Sequence, residues 1–283
     1  MLLNFLKRFD FAKLYFMKHG FSLVELSIVL VILGLLTGGI LAGQSLIRAA
    51  EVRSISTDIS RYHTAVMTFQ DRYLGIPGDI THATKFWGAA DGGDGLGSDC
   101  FDVVGVGTAT CNGDGDGMLG GSTIPQFSER HRFWRHLANA NLIEGTYSGV
   151  AGPVGPGDVV LGVNAPYSRI PNAGYAVGYE TVSNSANSFP NIVVNANVLT
   201  FGRDDPSMTF YPVYGAINPV ELWGIDNKLD DGKPASGRIY THKKSSPITP
   251  NCTTTDDRTS EYNVAETSAL CSFRLLLSGT VRL

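Results

Sequence analysis

Hydrophobic and polar positions change pattern twice along the 283-residue chain. The first apolar stretch, FSLVELSIVLVILGLLTGGILAG from Phe21 to Gly43, is twenty-three residues with Glu25 as its single charge. At ~1.5 Å per residue a helix of that length matches a hydrocarbon core about 30 Å thick, so a membrane span is predicted. Two alternatives are a helix buried in a soluble core and the apolar region of a cleaved signal peptide cut just after Leu41-Ala42-Gly43. Glu25 argues against the signal peptide, because an ionised carboxylate near the start of a membrane helix is costly and is usually kept for a function.

Beyond Gly43 the pattern becomes amphipathic. Val52, Ile55, Ile59, Tyr62, Val66, Phe69 and Tyr73 recur at steps of three and four, with Arg53, Asp58, Arg61, Gln70 and Arg72 off the stripe. The same helix is therefore expected to continue, docking one face, until Gly75 and Pro77 stop it. Over residues 22–74 it would be ~80 Å long. A free coiled coil is the alternative for this half.

From residue 75 onward the pattern is one of short runs. Strands are predicted at Asp158–Val163, at Ile192–Phe201, at Met208–Tyr214 and along the face Cys271, Phe273, Leu275, Leu277. A short helix is predicted over SERHRFWRHLANANLIEG, with Phe133, Trp134, Leu137 and Leu142 inward and Gly145 as its end. Another starts at Asn218-Pro219-Val220-Glu221, where Asn is the cap, Pro the first residue and Glu the third after the cap. The fold class expected is α+β: a long N-terminal helix, half membrane-spanning and half docked, on a loop-rich β-sheet head with short helices. The segments are 1–20, 21–43, 44–74 and a globular Gly/Asp-rich head, 75–283.

Composition supports a loop-rich head. The chain has 33 glycines and 13 prolines, and its 43% hydrophobic and 17% charged residues exclude a highly charged disordered polymer. Lys7, Arg8, Lys13 and Lys18 against Asp10 give the first twenty residues +3, leaving −7 on the remainder of a chain of net charge −4. Positive charge before the apolar run places that end in the cytoplasm and the body outside. With no Lys/Arg stripe on an acidic body, nucleic acid has no direct signature as a partner.

Candidate chemistry lies in the head. Asp91, Asp94, Asp99, Asp102, Asp114 and Asp116 sit among glycines, and Asn112-Gly113-Asp114-Gly115-Asp116-Gly117 matches the first half of an EF-hand-type loop. Ca²⁺ is the cofactor implied, held by Asn112, Asp114, Asp116 and Met118. The twelfth loop position is Thr123 instead of Glu, and Glu129 reaches in only if the chain folds back; a plain run of turns is the alternative. Asp226, Asp230 and Asp231 form a second possible metal group, for which a polar helix end with an Asp-Asp-Gly turn is an equal explanation. In an oxidising compartment the four cysteines pair locally, Cys100 with Cys111 and Cys252 with Cys271, out of three possible pairings. His131 and His136 are five apart and are read as structural or exposed. No P-loop, nucleotide-binding glycine fingerprint, HExxH, GxSxG or CxxC is present, so no enzyme is expected.

The residues KHGFSLVELSIVLVILGLL resemble the processing and membrane region of type IV pilins and pseudopilins. The resemblance implies cleavage by prepilin peptidase between Gly20 and Phe21, N-methylation of Phe21, and apolar helices packed into a filament core. Glu25 would then face the Phe21 amine of a neighbouring subunit, an arrangement in which two buried charges satisfy each other. Ser22-x-x-Glu25 is also a capping box, which would serve the single chain. Met17 lies three residues before Gly20 and is a possible true start. Where many pilins have a helix-loosening proline, this chain has Thr37-Gly38-Gly39. The Asp-bearing PGD at 77–79, Trp87-Gly88, NGDGDG, WRHLANANLIEG and IDNKLDDG are together similar to a large pilin-like subgroup. The loop closed by Cys252 and Cys271 resembles the variable region that many pilins expose.

The expected function is a structural subunit of a type IV pilus-like or type II secretion-like filament, first in the inner membrane with its head in the periplasm. The partners expected are other copies or related pilin subunits, prepilin peptidase, the inner-membrane assembly platform and the lipid bilayer. The alternatives are a membrane-anchored or filament-tip binding module of the minor-pilin kind and, more remotely, an exported hydrolase.

Overall fold

The computed structural model describes residues 20–93, 95, 100, 102–120, 124–180, 193–204 and 212–282. The chain divides into two compact units, Met1–Arg48 and Ala49–Leu283. Helix α1, Leu23–Tyr73, is unbroken through residues 37–39. It ends with Leu74 in the left-handed region (φ 56°), one residue before the expected stop at Gly75.

Within the second unit, called the head below, the stripe on α1 is buried at Ile55, Ile59, Tyr62, Val66 and Phe69, with Val52 and Tyr73 at its margins. Burying each such side chain stabilises the fold by ~1.5–3 kcal/mol. Tyr62 meets Trp134 and Tyr175 edge to face, with ring centroids 5.0 and 5.2 Å away. The Tyr175 hydroxyl donates to Asp58 Oδ2 at 3.1 Å. A hydrophobic stripe flanked by a polar latch thus fixes how α1 seats on the head.

The remaining elements are α2 (Thr84–Trp87), α3 (Ile124–Asn139), β1 (Ala173–Glu180), β2 (Val193–Arg203), α4 (Pro219–Leu229), β3 (Ile239–Tyr240) and β4 (Phe273–Arg282). Among the described residues the four strands form one sheet in the order β1-β2-β4-β3, every pairing antiparallel. Its two faces are both covered: Leu199, Phe201, Phe273, Leu275 and Leu277 belong to the main core, whereas Ala196, Val198 and Leu276 pack with Ala235 and Tyr240. That is why the three consecutive leucines of β4, Leu275 to Leu277, are all buried although they point alternately to the two faces. The β2–β4 register shifts between Asn197 and Val198, a bulge used by the site described below.

Several expectations need correction. Asp158–Val163 is not a strand: Asn164 accepts from the Val160 amide and donates to the Val150 and Asp158 carbonyls, so its side chain ties the segment into turns. α3 starts four residues earlier than predicted and stops at Asn139, leaving Leu142 and Gly145 in the turn that follows. β1 and β3 went unpredicted. Of the run Met208–Tyr214, residues 208–211 lie outside the described residues, and Tyr214 makes a single bridge to Arg203. The predicted caps of α4 are present, with Asn218 Oδ1 accepting from the Glu221 amide and Glu221 Oε2 from the Asn218 amide. Both disulfides, Cys100–Cys111 and Cys252–Cys271, pair as expected.

Candidate functional site

The NGDGDG loop closes around two carboxylates from distant parts of the head. Asp79, just after α1, accepts from the Gly115 amide on Oδ1 at 2.8 Å and from the Gly117 amide on Oδ2 at 3.0 Å. Glu129, on α3, accepts from the Asp114 amide at 3.0 Å and from the Gly120 amide at 3.4 Å. Asp79 and Glu129 are buried, whereas Asp114 and Asp116 are exposed. One oxygen from each of the four lies within 4.8 Å of the others, a spacing that a hard cation with metal–oxygen distances of about 2.4 Å can bridge. Burial pushes the Glu129 carboxyl up to about 8 and Asp79 up to about 6, and the neighbouring carboxylates add to both shifts.

Two glycines make the closure possible. Gly78 has φ +92°, and a Cβ there would meet the Glu129 carbonyl oxygen at 2.3 Å; one at Gly113 would meet the Asp79 Cα and carbonyl carbon at 2.3 Å. Backbone approaching backbone at that distance leaves no room for a side chain. Asn197, in the β2 bulge, accepts from the Leu119 amide at 2.7 Å and donates to the Gly117 carbonyl at 2.8 Å, clipping the loop to the sheet.

The expected ligand set therefore redistributes. Asp114 and Asp116 are in the cluster, but Asn112 Oδ1 accepts from the Thr84 amide and its carbonyl from Arg132, while the Met118 carbonyl accepts from the Gly120 amide. Thr123 lies outside the described residues. Asp79 and Glu129 take the remaining places. The PGD at 77–79 enters the sequence reading only through the family resemblance and is not read there as a ligand, whereas Glu129, expected to reach in only if the chain folds back, does so from α3.

At the other end of the chain, Gly20 and Phe21 are exposed and precede the first helical residue, Leu23. The Ser22 amide donates to Glu25 Oε2 at 2.8 Å and the Glu25 amide to Ser22 Oγ at 3.1 Å, a complete capping box in the single chain. α1 is long and apolar enough to cross a membrane, with an 18-residue window of mean hydropathy 2.4. Residues 16–41 match the family model of the prokaryotic N-terminal methylation motif. The chain carries a prepilin-type signal. No curated protein and no solved structure matches it beyond that. The α+β architecture of a long N-terminal helix followed by a small antiparallel sheet and short helices is consistent with a pilin-like fold, and the signal together with its apolar helix suggests membrane anchoring.

Behind the prepilin-type signal, the head offers two further places of interest. Asp226, Asp230 and Asp231 come together at the end of α4. A cavity of about 350 Å³ is bordered by Val160, Leu161, Tyr167, Asn172, Arg203 and Asp204. His131 and His136 are both buried and serve packing: His136 Nδ1 accepts from the Gly78 amide at 2.9 Å, Nε2 faces Thr110 Oγ1 at 3.1 Å, and the ring stacks on Phe69.

Proposed function

We propose that this chain is a non-enzymatic structural subunit of a type IV pilus-like or type II secretion-like filament. Prepilin peptidase cuts between Gly20 and Phe21, the new amine of Phe21 is methylated, and the apolar half of α1 passes from the inner membrane into a filament core beside other copies or related subunits. The observation that carries this reading is the methylation motif at residues 16–41, which overlaps the apolar first part of α1, where Glu25 is the single charge up to Gly43. The capping box shows what the Glu25 carboxylate does while alone; in the filament it exchanges the Ser22 amide for the Phe21 amine of a neighbour.

N-terminal mass spectrometry of the membrane fraction tests the reading, with a methylated Phe21 start expected and an intact leader or a start near Ser45 refuting it. High abundance in sedimentable filaments is expected of a main subunit. The cavity bordered by apolar Val160 and Leu161 and by polar Tyr167, Asn172, Arg203 and Asp204 favours the second reading, a tip or minor subunit that binds a ligand, and trace abundance in the filament would select it.

Calcium at Asp79, Asp114, Asp116 and Glu129 belongs to the same proposal, as a stabiliser of an exported head. At ~100 times its Kd, a ligand bound only to the native state adds about 2.7 kcal/mol. The expected result is a melting temperature higher in Ca²⁺ than in chelator, with most of the difference removed by Asp114→Ala with Asp116→Ala.

A further inference from the structure

α4 delivers one carboxylate into the interior. Asp226 is fully buried; its Oδ2 accepts from the Tyr262 hydroxyl at 2.6 Å, while its Oδ1 is buried without a hydrogen-bond partner. The chain then turns at Asp230-Asp231-Gly232, and an oxygen of each of Asp226, Asp230 and Asp231 lies within 4.8 Å of the other two. Both neighbours act as hydrogen-bond acceptors. Asp230 Oδ2 accepts from the Arg238 and Ile239 amides, and Asp231 accepts from the Lys233 amide at 2.9 Å and the Ser236 hydroxyl at 2.7 Å. Burial pushes the Asp226 carboxyl up and the charges of Asp231 and Asp230 add to that, while the Tyr262 hydroxyl and the Gly232 amide act the other way.

A buried carboxylate is normally paired with a base, bound to a metal or protonated. Here no base pairs with Asp226 among the described residues, its Oδ1 is without a hydrogen-bond partner, and the side chain belongs to a group of three acids. Taking up one proton relieves part of the repulsion but leaves three acids crowded together, whereas a divalent cation neutralises the group and gives Oδ1 a partner. All the donors are carboxylate oxygens, with neither His nor Cys, which selects a hard ion.

We propose that Asp226, Asp230 and Asp231 bind a hard divalent cation, calcium by donor type and spacing, at the junction of α4, the 230–237 turn and the Cys252–Cys271 loop that carries Tyr262. The ion fastens that disulfide loop to α4 through the Tyr262–Asp226 hydrogen bond. This proposal is independent of the filament reading, since it concerns the head alone.

The test uses the mature full-length chain in detergent, in a background with Asp114→Asn and Asp116→Asn that disables the other acidic group. Native mass spectrometry and thermal melts are run with about 1 mM CaCl₂, the upper range for extracellular calcium modules, and with chelator. One bound calcium and a calcium-dependent rise in melting temperature are expected in the background, both lost on adding Asp231→Asn, an exposed position whose change leaves the far-ultraviolet circular dichroism intact. Asp226→Asn, which keeps the acceptor for Tyr262, should also lose the ion. No bound calcium in the background would overturn the proposal in favour of a carboxyl–carboxylate pair sharing a proton. Retention of the ion by the Asp231→Asn chain would overturn it equally, because the ion would then lie elsewhere.

Discussion

Acid should loosen the head at His136, and the size of the effect follows from where the ring sits. The Gly78 amide donates to Nδ1, so the neutral ring carries its proton on Nε2 and gives it to Thr110 Oγ1. A second proton could enter only at Nδ1, against the Gly78 N–H. Burial, followed by the charges of Arg132 and Arg135, pushes the ring down to about 3. In the unfolded chain it titrates near 6.5, so the stability it contributes is complete above pH 6.5 and is lost as pH falls toward 3. At pH 4.5 the loss is about 3 kcal/mol, which for a domain of this size is roughly 6–12 °C of melting temperature.

Glu129, Asp79 and Asp226 act with the opposite sign. Their folded values, about 8, 6 and 7, are raised by burial, so without bound cation they gain stability as pH falls through those values and mask the histidine in a simple pH series. The clean measurement is a difference. His136→Asn retains an acceptor toward Gly78 but cannot take a proton; at pH 7.5 it should cost ~2–4 kcal/mol through the shortened side chain and the lost Thr110 contact. In urea titrations of the 49–283 head at pH 7.5 and 4.5, the gap between wild type and variant should narrow by about 3 kcal/mol at the lower pH. An equal gap at both values would refute the argument that His136 is held neutral.

Gly113→Ala should destabilise the head by several kcal/mol, well beyond the ~1 kcal/mol typical of point changes, because its methyl would strike the Asp79 backbone; calorimetry with and without Ca²⁺ should show the calcium response lost as well. Asn197→Ala leaves the Leu119 amide unpaired and should lower stability by about 1–3 kcal/mol while weakening the calcium response, measured by the same melts. Glu25→Ala should leave the head folded and the chain in the membrane yet reduce filament incorporation, read by sedimentation and immunoblot; wild-type fibre yield would show the charge dispensable.

What was legible in the sequence is what neighbouring residues decide. The three-four stripe from Val52 to Tyr73, the Asn218-Pro219-Glu221 start of α4 and the short cysteine spacings are local signals, and each element stands where it was expected. β1 escaped because AGYAVGYE is buried over its first six residues and has no in-out alternation to read. The acidic cluster was half visible: the Asp-Gly repeat announces itself, but Asp79 and Glu129 arrive through the tertiary contacts that Gly78 and Gly113 permit. Asn164 misled in the other direction, since a side chain that bonds three backbone groups overrides the strand propensity of Val159 to Val163.

β4 lies in the interior of the sheet, between β2 and β3, although it is the last strand in chain order. Because synthesis runs from the N-terminus, β1 and β2 are available as an antiparallel pair about seventy residues before the strand that covers β2. Until Phe273–Arg282 emerges, β2 has an open edge and both core clusters lack a wall, the condition in which strands pair with the wrong neighbour. Completion of the sheet thus waits for β4, and on the export proposed above the interval before β4 arrives is the one in which a chaperone or protease would meet an open strand edge.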